Sequence, residues 1–441
     1  VSPWRLGKLG DGWPLRWRRR AVAVEQLQER PAKQLQEFLV SLGGALVSTG
    51  TAVTDIKRTL QRVAIALGSP DAVVVIFPTA VFVAVPGEDE THFDLSEPPG
   101  GGVLFDRAAR IYGLVDRAIA GRVTAAEGIQ ELADIRVSKP RFTPPVRILG
   151  HGLIAVAVGM ILAGSDGATL GITFVLGLLM GGMKFLVRSG SYAAILLPTL
   201  AALIIGLASF AAANLGLIPE PLGVLVPAIV TLLPGGLLTV AVQELAAGDM
   251  LAGASRLVYG TAQLVFLAFG VVVASKIIDV PVSLDLTRAP GVVGVLTPWA
   301  GILVMALGFF LYFCGPRLSL LYLTGVLLVA YAVQVVGQLV GGSLLSGFLA
   351  AIALTVAAYL VQALPGAPPA VVCFLPAFWL LVPGAAGLIG LTQSAGGAFG
   401  TSDIWTVIGS LVTVALGVLA GMGAYRVIYR LAPERWGLRL L

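Results

Sequence analysis

From residue 146 onward, apolar residues run in blocks of about twenty closed by short polar or Gly/Pro-rich breaks, while residues 34–145 mix apolar and charged positions at shorter periods. Such a block matches a helix crossing a hydrocarbon core of about 30 Å at about 1.5 Å per residue. The blocks fall at 146–165, 168–187, 192–213, 221–245, 252–277, 296–315, 318–338, 341–363, 370–392 and 404–428, which predicts ten transmembrane helices.

The earlier stretch reads differently. Leu35, Phe38, Leu39, Leu42, Leu46, Ile56, Leu60 and Val63 recur at helical spacing and predict two helices between Gln34 and Leu67, loosened around Gly43-Gly44 and Gly50. The β-branched runs 72–77 and 80–85, parted by Pro78-Thr79, predict a pair of strands. Pro86 to Gly102, acidic and rich in Pro and Gly, reads as an exposed loop. Helical spacing resumes over Leu104 to Ala120. Thr124-Ala-Ala-Glu127 is a capping box, whose hydroxyl and carboxylate satisfy otherwise unpaired amides at the start of a helix running to about Ile135. The predicted division is a basic tail over 1–33, a small α/β domain with its Pro-rich linker over 34–145, and membrane sequence over 146–292 and 293–441, the last ending in a basic tail.

The membrane sequence repeats itself. Pro227-Ala-Ile-Val-Thr-Leu-Leu-Pro-Gly235 and Pro376-Ala-Phe-Trp-Leu-Leu-Val-Pro-Gly384 both fit P-A-x-x-x-L-x-P-G, at one offset of 149 residues. This points to a duplicated five-helix unit, and an odd number of helices turns the second copy upside down relative to the first. The predicted fold class is an α-helical membrane protein with ten transmembrane helices in two five-helix inverted repeats, plus a small α/β cytoplasmic amino-terminal domain.

A Pro-Gly pair inside a membrane helix removes a backbone donor and adds a flexible joint, so polar groups there need partners that lipid cannot supply. Read as two half-helices, the stretch around Pro234, Gly235 and Gly236 would free amides at a helix start, where a carboxylate fits. Thr231, Thr239 and Gln243 are its polar neighbours. The second copy offers Pro383 and Gly384, with Trp379, Thr392 and Gln393 nearby. A kink that only serves packing is the competing reading. Glu244 and Asp249 mark the first copy alone, since the same offset reaches Gln393 and Ala398; each is either a coupling carboxylate or a headgroup-level charge. Gln263, Gln334 and Gln338 lie within spans, as interhelical hydrogen-bonding groups or pathway lining. Lys184 and Arg188 read as interface anchors, with pairing to the Glu244 and Asp249 carboxylates as the alternative, and His151 as an interfacial residue, with a proton relay as the alternative. The small-residue pairs Gly177/Gly181, Gly337/Gly341 and Gly417/Gly421 report close helix packing.

Composition supports the bilayer: 57% of residues are hydrophobic and 12% charged, with a mean hydropathy of +0.92. The net charge of +5 matters through its placement. Arg16, Arg18, Arg19 and Arg20 cluster near the amino end without an aromatic platform for nucleic acid, and no apolar core of signal-peptide length follows them. Short loops on one side hold Lys184, Arg188, Arg256, Arg317, Arg426, Arg430, Arg435 and Arg439, against Lys276 and Arg288 on the other. This places both termini in the cytoplasm. The two cysteines, Cys314 and Cys373, and two histidines, His92 and His151, provide neither a disulfide framework nor a metal spacing. No phosphate-binding Gly loop is present. His92, Asp94 and Ser96 are the ingredients of a hydrolase in a loop that also reads as solvated decoration.

Leu-Leu-Pro-Gly-Gly-Leu-Leu-Thr239, followed by Glu244-Leu-Ala-Ala-Gly-Asp249, resembles the threonine/serine exporter family. So do the helix start Gly-Arg-Val-Thr-Ala-Ala-Glu127, the later Leu-Val-Pro-Gly384, and the order of parts over roughly residues 34–430. The resemblance implies proton-coupled export of threonine and serine across a bacterial plasma membrane, with no cofactor. Substrate would meet Thr231, Pro234, Gly235, Gly236, Thr239, Gln243, Trp379, Pro383, Gly384 and Gln393, and Glu244 with Asp249 would couple the proton. Partners are threonine, serine, protons and membrane lipid, not nucleic acid; a homo-oligomer is left open. The family commonly carries Asn or Arg beside the acid, where this chain reads Val-Ala-Val-Gln-Glu244. A channel or scaffold for small polar solutes, or a membrane-anchored hydrolase, are the alternatives.

Overall fold

A computed structural model describes residues 15–86, 91–96, 102, 104–162, 166–187, 190–282, 292–381, 388–390, 392 and 401–431. The amino-terminal part comprises α1 (Leu15–Ser48), α2 (Val53–Ala66), β1 (Val73–Phe77), β2 (Ala80–Pro86), β3 (Thr91–Ser96), α3 (Phe105–Ile119) and α4 (Ala125–Val137). Phe38, Leu42 and Leu46 of α1, Ile56 and Leu60 of α2, Val81 of β2 and Leu114 of α3 form its buried core. Each such side chain contributes about 1.5–3 kcal/mol on burial. The capping box is present: the Thr124 hydroxyl accepts the Glu127 amide, and the Glu127 carboxylate accepts the Thr124 amide at 2.8 Å.

Two expectations are corrected. Helix α1 runs unbroken through Gly43-Gly44, because Gly43 is where the helix lies against β2: a Cβ there would come within 2.7 Å of Val81. The chain turns only beyond Ser48, where Gly50 has φ +81°. The stretch read as an exposed loop contains β3, which pairs antiparallel with β2, Val83 opposite Asp94, and makes the sheet three-stranded in the order β1-β2-β3. Its period-two pattern, Phe93 and Leu95 between polar residues, was the available signal.

The remaining chain is α5 (Pro144–Leu162), α6 (Gly167–Leu186), α7 (Tyr192–Asn214), α8 (Leu222–Ala228), a 3-10 turn (Val230–Leu232), α9 (Gly235–Ala246), α10 (Met250–Ile278), α11 (Val292–Tyr312), α12 (Ser319–Gln362), α13 (Ala370–Leu381) and α14 (Thr401–Leu431). Among the described residues six helices, α5, α6, α7, α10, α12 and α14, are long and apolar enough to cross a membrane, and a seventh span results if α8 and α9 count as one bent crossing. The chain is a multi-pass helical membrane protein. Helix α12 doubles back where a boundary between two spans was predicted. Gly341 and Gly342 leave helical geometry, with Gly342 at φ +74°, and the Ser346 hydroxyl donates to the Gln334 carbonyl at 2.7 Å.

Glycines set the helix spacing. A Cβ on Gly308 of α11 would approach the Ile154 amide of α5 to 2.8 Å, and one on Gly417 of α14 the Phe348 carbonyl of α12 to 2.5 Å. The amino-terminal part is fastened to the membrane helices by backbone bonds. Carbonyls at the end of α11 accept from it and its linker: Phe313 from the Phe105 amide at 2.7 Å, Cys314 from the Asp106 amide at 3.1 Å and Gly315 from the Arg141 guanidinium at 2.6 Å. A helix end that would be left with orphan carbonyls is thus closed by the orphan amides of α3.

Candidate functional site

The helix breaks where Pro234 demands it. Proline pushes its predecessor out of helical geometry, and Leu233 is extended at φ −67°, ψ +126°. The chain leaves α8 at Ile229, tightens into the 3-10 turn and restarts as α9 at Gly235; α8 and the segment Val230–Ala246 meet at 56°. Carbonyls that lose their in-helix partners find others. Val230 O accepts the Trp379 indole N–H at 3.0 Å, Thr231 O the Lys184 ammonium at 3.3 Å, and Leu232 O the Gln263 amide at 2.7 Å.

The Thr231 side chain joins the same cluster. Lys184 Nζ donates to its hydroxyl at 2.7 Å, and His151 Nε2 lies 2.7 Å away. His151 Nδ1 faces the Gly177 carbonyl at 2.8 Å, which assigns the proton of the neutral ring to Nδ1 and makes Nε2 the acceptor of the Thr231 hydroxyl proton. His151 is therefore fully buried rather than interfacial, and Lys184 turns inward rather than anchoring the helix end. Neither residue's role was legible from its own neighbours; both depend on α5 and α6 lying against the break. Gln263 takes the interhelical role.

At the start of α9, Leu238 N–H returns to Pro234 O at 2.9 Å, so the amides of Gly235, Gly236 and Leu237 lie outside the helix's own ladder. Gly236 has room: a Cβ there would find Phe378 at 3.7 Å and Leu375 at 3.9 Å, ordinary contacts. Thr239 turns its hydroxyl back onto Gly235 O at 2.9 Å, and Thr392 likewise bonds Leu388 O at 2.9 Å. Pro383, Gly384, Gln393 and Arg188 lie outside the described residues.

Two turns beyond the break, α9 forms one wall of a cavity of about 830 Å³ between the amino-terminal part and α12, α13 and α14. Val240 and Gln243 reach it from α9, and Phe374 and Phe378 from α13. Thr49, Thr51 and Tyr112, linked by hydrogen bonds of 2.8 Å, face them. Gln243 is buried, and its Nε2 has no hydrogen-bond partner among the described residues. Asp55 on α2 also lines the cavity; burial raises its carboxyl above the ordinary range, against the opposing charges of Arg58 and Arg426.

The acids at the far end of α9 meet α2. Glu244 is fully buried; one carboxylate oxygen accepts the Val53 amide at 2.9 Å, and the other lies 3.1 Å from Arg256 Nε. That ion pair lacks hydrogen-bond alignment, and Arg256 Nη2 has no partner among the described residues. Asp249 accepts the Thr54 hydroxyl at 2.5 Å. Helix α2 has no side-chain cap of its own, and these two carboxylates occupy its amino end, where the dipole favours negative charge.

A multi-pass membrane protein with an interrupted helix, the interruption held by polar side chains from four other helices, is the class these features define. The chain belongs to the ThrE family, described as "Putative threonine/serine exporter", which matches residues 37–278, from α1 through the end of α10. No curated protein and no solved structure matches the chain. The family is one of exporters, which makes the chain a transporter rather than an enzyme.

Proposed function

We propose that the chain is a secondary exporter of threonine and serine driven by the proton gradient of a bacterial inner membrane. In this reading it crosses ten times, as two inverted five-helix halves, with the amino-terminal domain and both termini in the cytoplasm. The observation that carries it is the cluster of the buried His151 with the half-buried Lys184 and Thr231 at the Pro234 interruption, among apolar helices. Buried polar groups away from the aqueous ends of a membrane bundle are costly and are kept where a polar solute passes.

The substrate carboxylate meets Lys184 and the free amides of Gly235 and Gly236, and the Thr231–His151 pair reads the hydroxyl by exchanging one hydrogen bond for another. Gln243 offers its unpartnered amide on the approach from the cavity. Pro383, Gly384 and Gln393 provide the counterpart in the second half, with Trp379 reaching from one half to the other. Glu244 couples the proton. In the charged state it holds Arg256 and accepts from the amino end of α2, and protonation removes the charge on which the Arg256 contact depends. Asp249 supports the same joint.

Reconstitution in vesicles tests this directly. An imposed proton gradient should accumulate threonine uphill, and counterflow with a panel of amino acids should favour threonine and serine. Strictly downhill flux would make the chain a channel. Thr231→Val and Lys184→Met should each weaken threonine binding at least tenfold; unchanged binding by folded variants would move the site away from the interruption.

A further inference from the structure

The cavity is larger than one hydroxylated amino acid requires, and its charge is lopsided. Its volume of about 830 Å³ lies in the range of sites for much bulkier ligands. Arg58 and Arg62 on α2 line the cavity together with Arg426 and Arg430 at the end of α14, and Arg58 and Arg426 both act on the Asp55 carboxyl. Each pair is spaced four residues apart, so both members share one helix face. Asp55 is the one carboxylate among the described lining residues, and it already pairs with Arg58 at 3.3 Å. Arg426 and Arg430 make no ion pair among the described residues and are exposed.

Polarity changes in one direction along the wall. On α14 the lining residues pass from Val418 and Met422 to Arg426 and Arg430 at the helix end, and Phe374 and Phe378 line the apolar portion opposite. Helix α14 is a candidate span, so its last turns reach headgroup depth and the preceding turns lie in hydrocarbon. An amphiphile with an anionic head and an apolar tail has the same gradient.

We infer that this end of the cavity binds a phosphate group, and that its source is an anionic phospholipid whose acyl portion follows Val418 and Met422 inward. Guanidinium groups suit phosphate because their planar fork donates two hydrogen bonds at once. Basic pockets between membrane helices attract such headgroups. The site joins α2, which carries the Glu244 contact, to α14, so an occupied site fastens the amino-terminal part to the membrane helices. This inference stands apart from the identity of the transported solute.

The test uses the full chain in neutral detergent, with thermal unfolding and native mass spectrometry as readouts. Phosphatidylglycerol should be retained and raise the melting temperature, while phosphatidylcholine should do neither. Glycerol phosphate should bind at least tenfold more weakly than phosphatidylglycerol. R426Q/R430Q should lower phosphatidylglycerol affinity at least tenfold, R426K/R430K should lose less, and R136Q, away from the cavity, should lose nothing. Phosphatidylglycerol binding no better than phosphatidylcholine, or binding unaffected by R426Q/R430Q in a protein that melts normally without lipid, would overturn the site. Glycerol phosphate binding as tightly as the lipid would overturn the lipid as its source.

Discussion

Trp379 donates its indole N–H to the carbonyl of Val230 at 3.0 Å, and the two residues occupy the same place in the two copies of the repeated P-A-x-x-x-L-x-P-G stretch, 149 residues apart. A residue touching its own counterpart is what an interface between two-fold-related copies produces near the axis. The contact therefore supports the proposed pairing of the halves at the interruption. Trp379→Phe keeps the ring that stacks on Phe309 at 5.1 Å but removes the donor. Val230 O retains the Leu233 amide, so the loss should be about 1 kcal/mol, read as a small fall in melting temperature. Trp379→Ala also empties packed space and should cost about 3–5 kcal/mol.

Glu244 and Arg256 meet inside the protein, so removing either leaves a buried charge without its counterion. Arg256→Ala should destabilise the protein by about 3–5 kcal/mol. Glu244→Gln should cost less than Arg256→Ala, because the amide oxygen can still accept from Val53, but it should depress gradient-driven export while membrane insertion is unchanged. Pairing Glu244→Gln with Arg256→Gln should cost less than the two single changes together. Thermal unfolding of the four proteins completes the cycle, and simple additivity would show that the ion pair contributes nothing.

Most elements could be read from the chain because their signals are local. Twenty-residue apolar blocks become helices, and Thr124 with Glu127 needs only four consecutive residues to form its capping box. The helical restart at Gly235 follows from Pro234 itself. The polar cluster was legible only on one side: Thr231 was found through its neighbours in sequence, whereas His151 and Lys184 are 80 and 47 positions away from it and reach it through helix packing. The same holds for Glu244, whose bond to Val53 spans 191 positions. An isolated acid at a helix end carries no mark of the helix that will dock on it. Strand β3 was hidden by Pro and acidic residues, a composition that says loop even where alternation and an available strand edge say otherwise.

Glycine substitutions separate packing from mere presence in a span. At Gly270 of α10 a Cβ would sit 2.5 Å from the Thr199 carbonyl and 2.9 Å from Ala202, both on α7, and backbone cannot give way cheaply. At Gly182 of α6 a Cβ would meet nothing within 4 Å. Gly270→Ala should therefore destabilise by about 1–3 kcal/mol through overpacking. Gly182→Ala should be neutral or slightly stabilising, since Ala favours helix by about 1 kcal/mol over Gly. Melting temperatures of the two variants, measured side by side in one detergent, decide the matter. Equal behaviour would mean that α7 and α10 are not in this contact.

The capping box should make the start of α4 acid-sensitive. The Glu127 carboxylate is held below its ordinary value of 4.5, first by the Thr124 amide and then by the Thr124 hydroxyl. A carboxyl whose folded value is depressed contributes stability that is complete above its unfolded value and lost as pH falls through the folded one. Protection of the amides of Thr124 and Glu127 against hydrogen exchange should accordingly hold at neutral pH and begin to fall below about 4.5. Thr124→Ala removes both bonds from the carboxylate's partner hydroxyl and leaves only the backbone contact, so its protection should be lower throughout and change less with pH. Glu127→Gln should abolish the pH dependence altogether while keeping the Thr124 side-chain cap; a pH profile identical to the parent would place the titration in some other group.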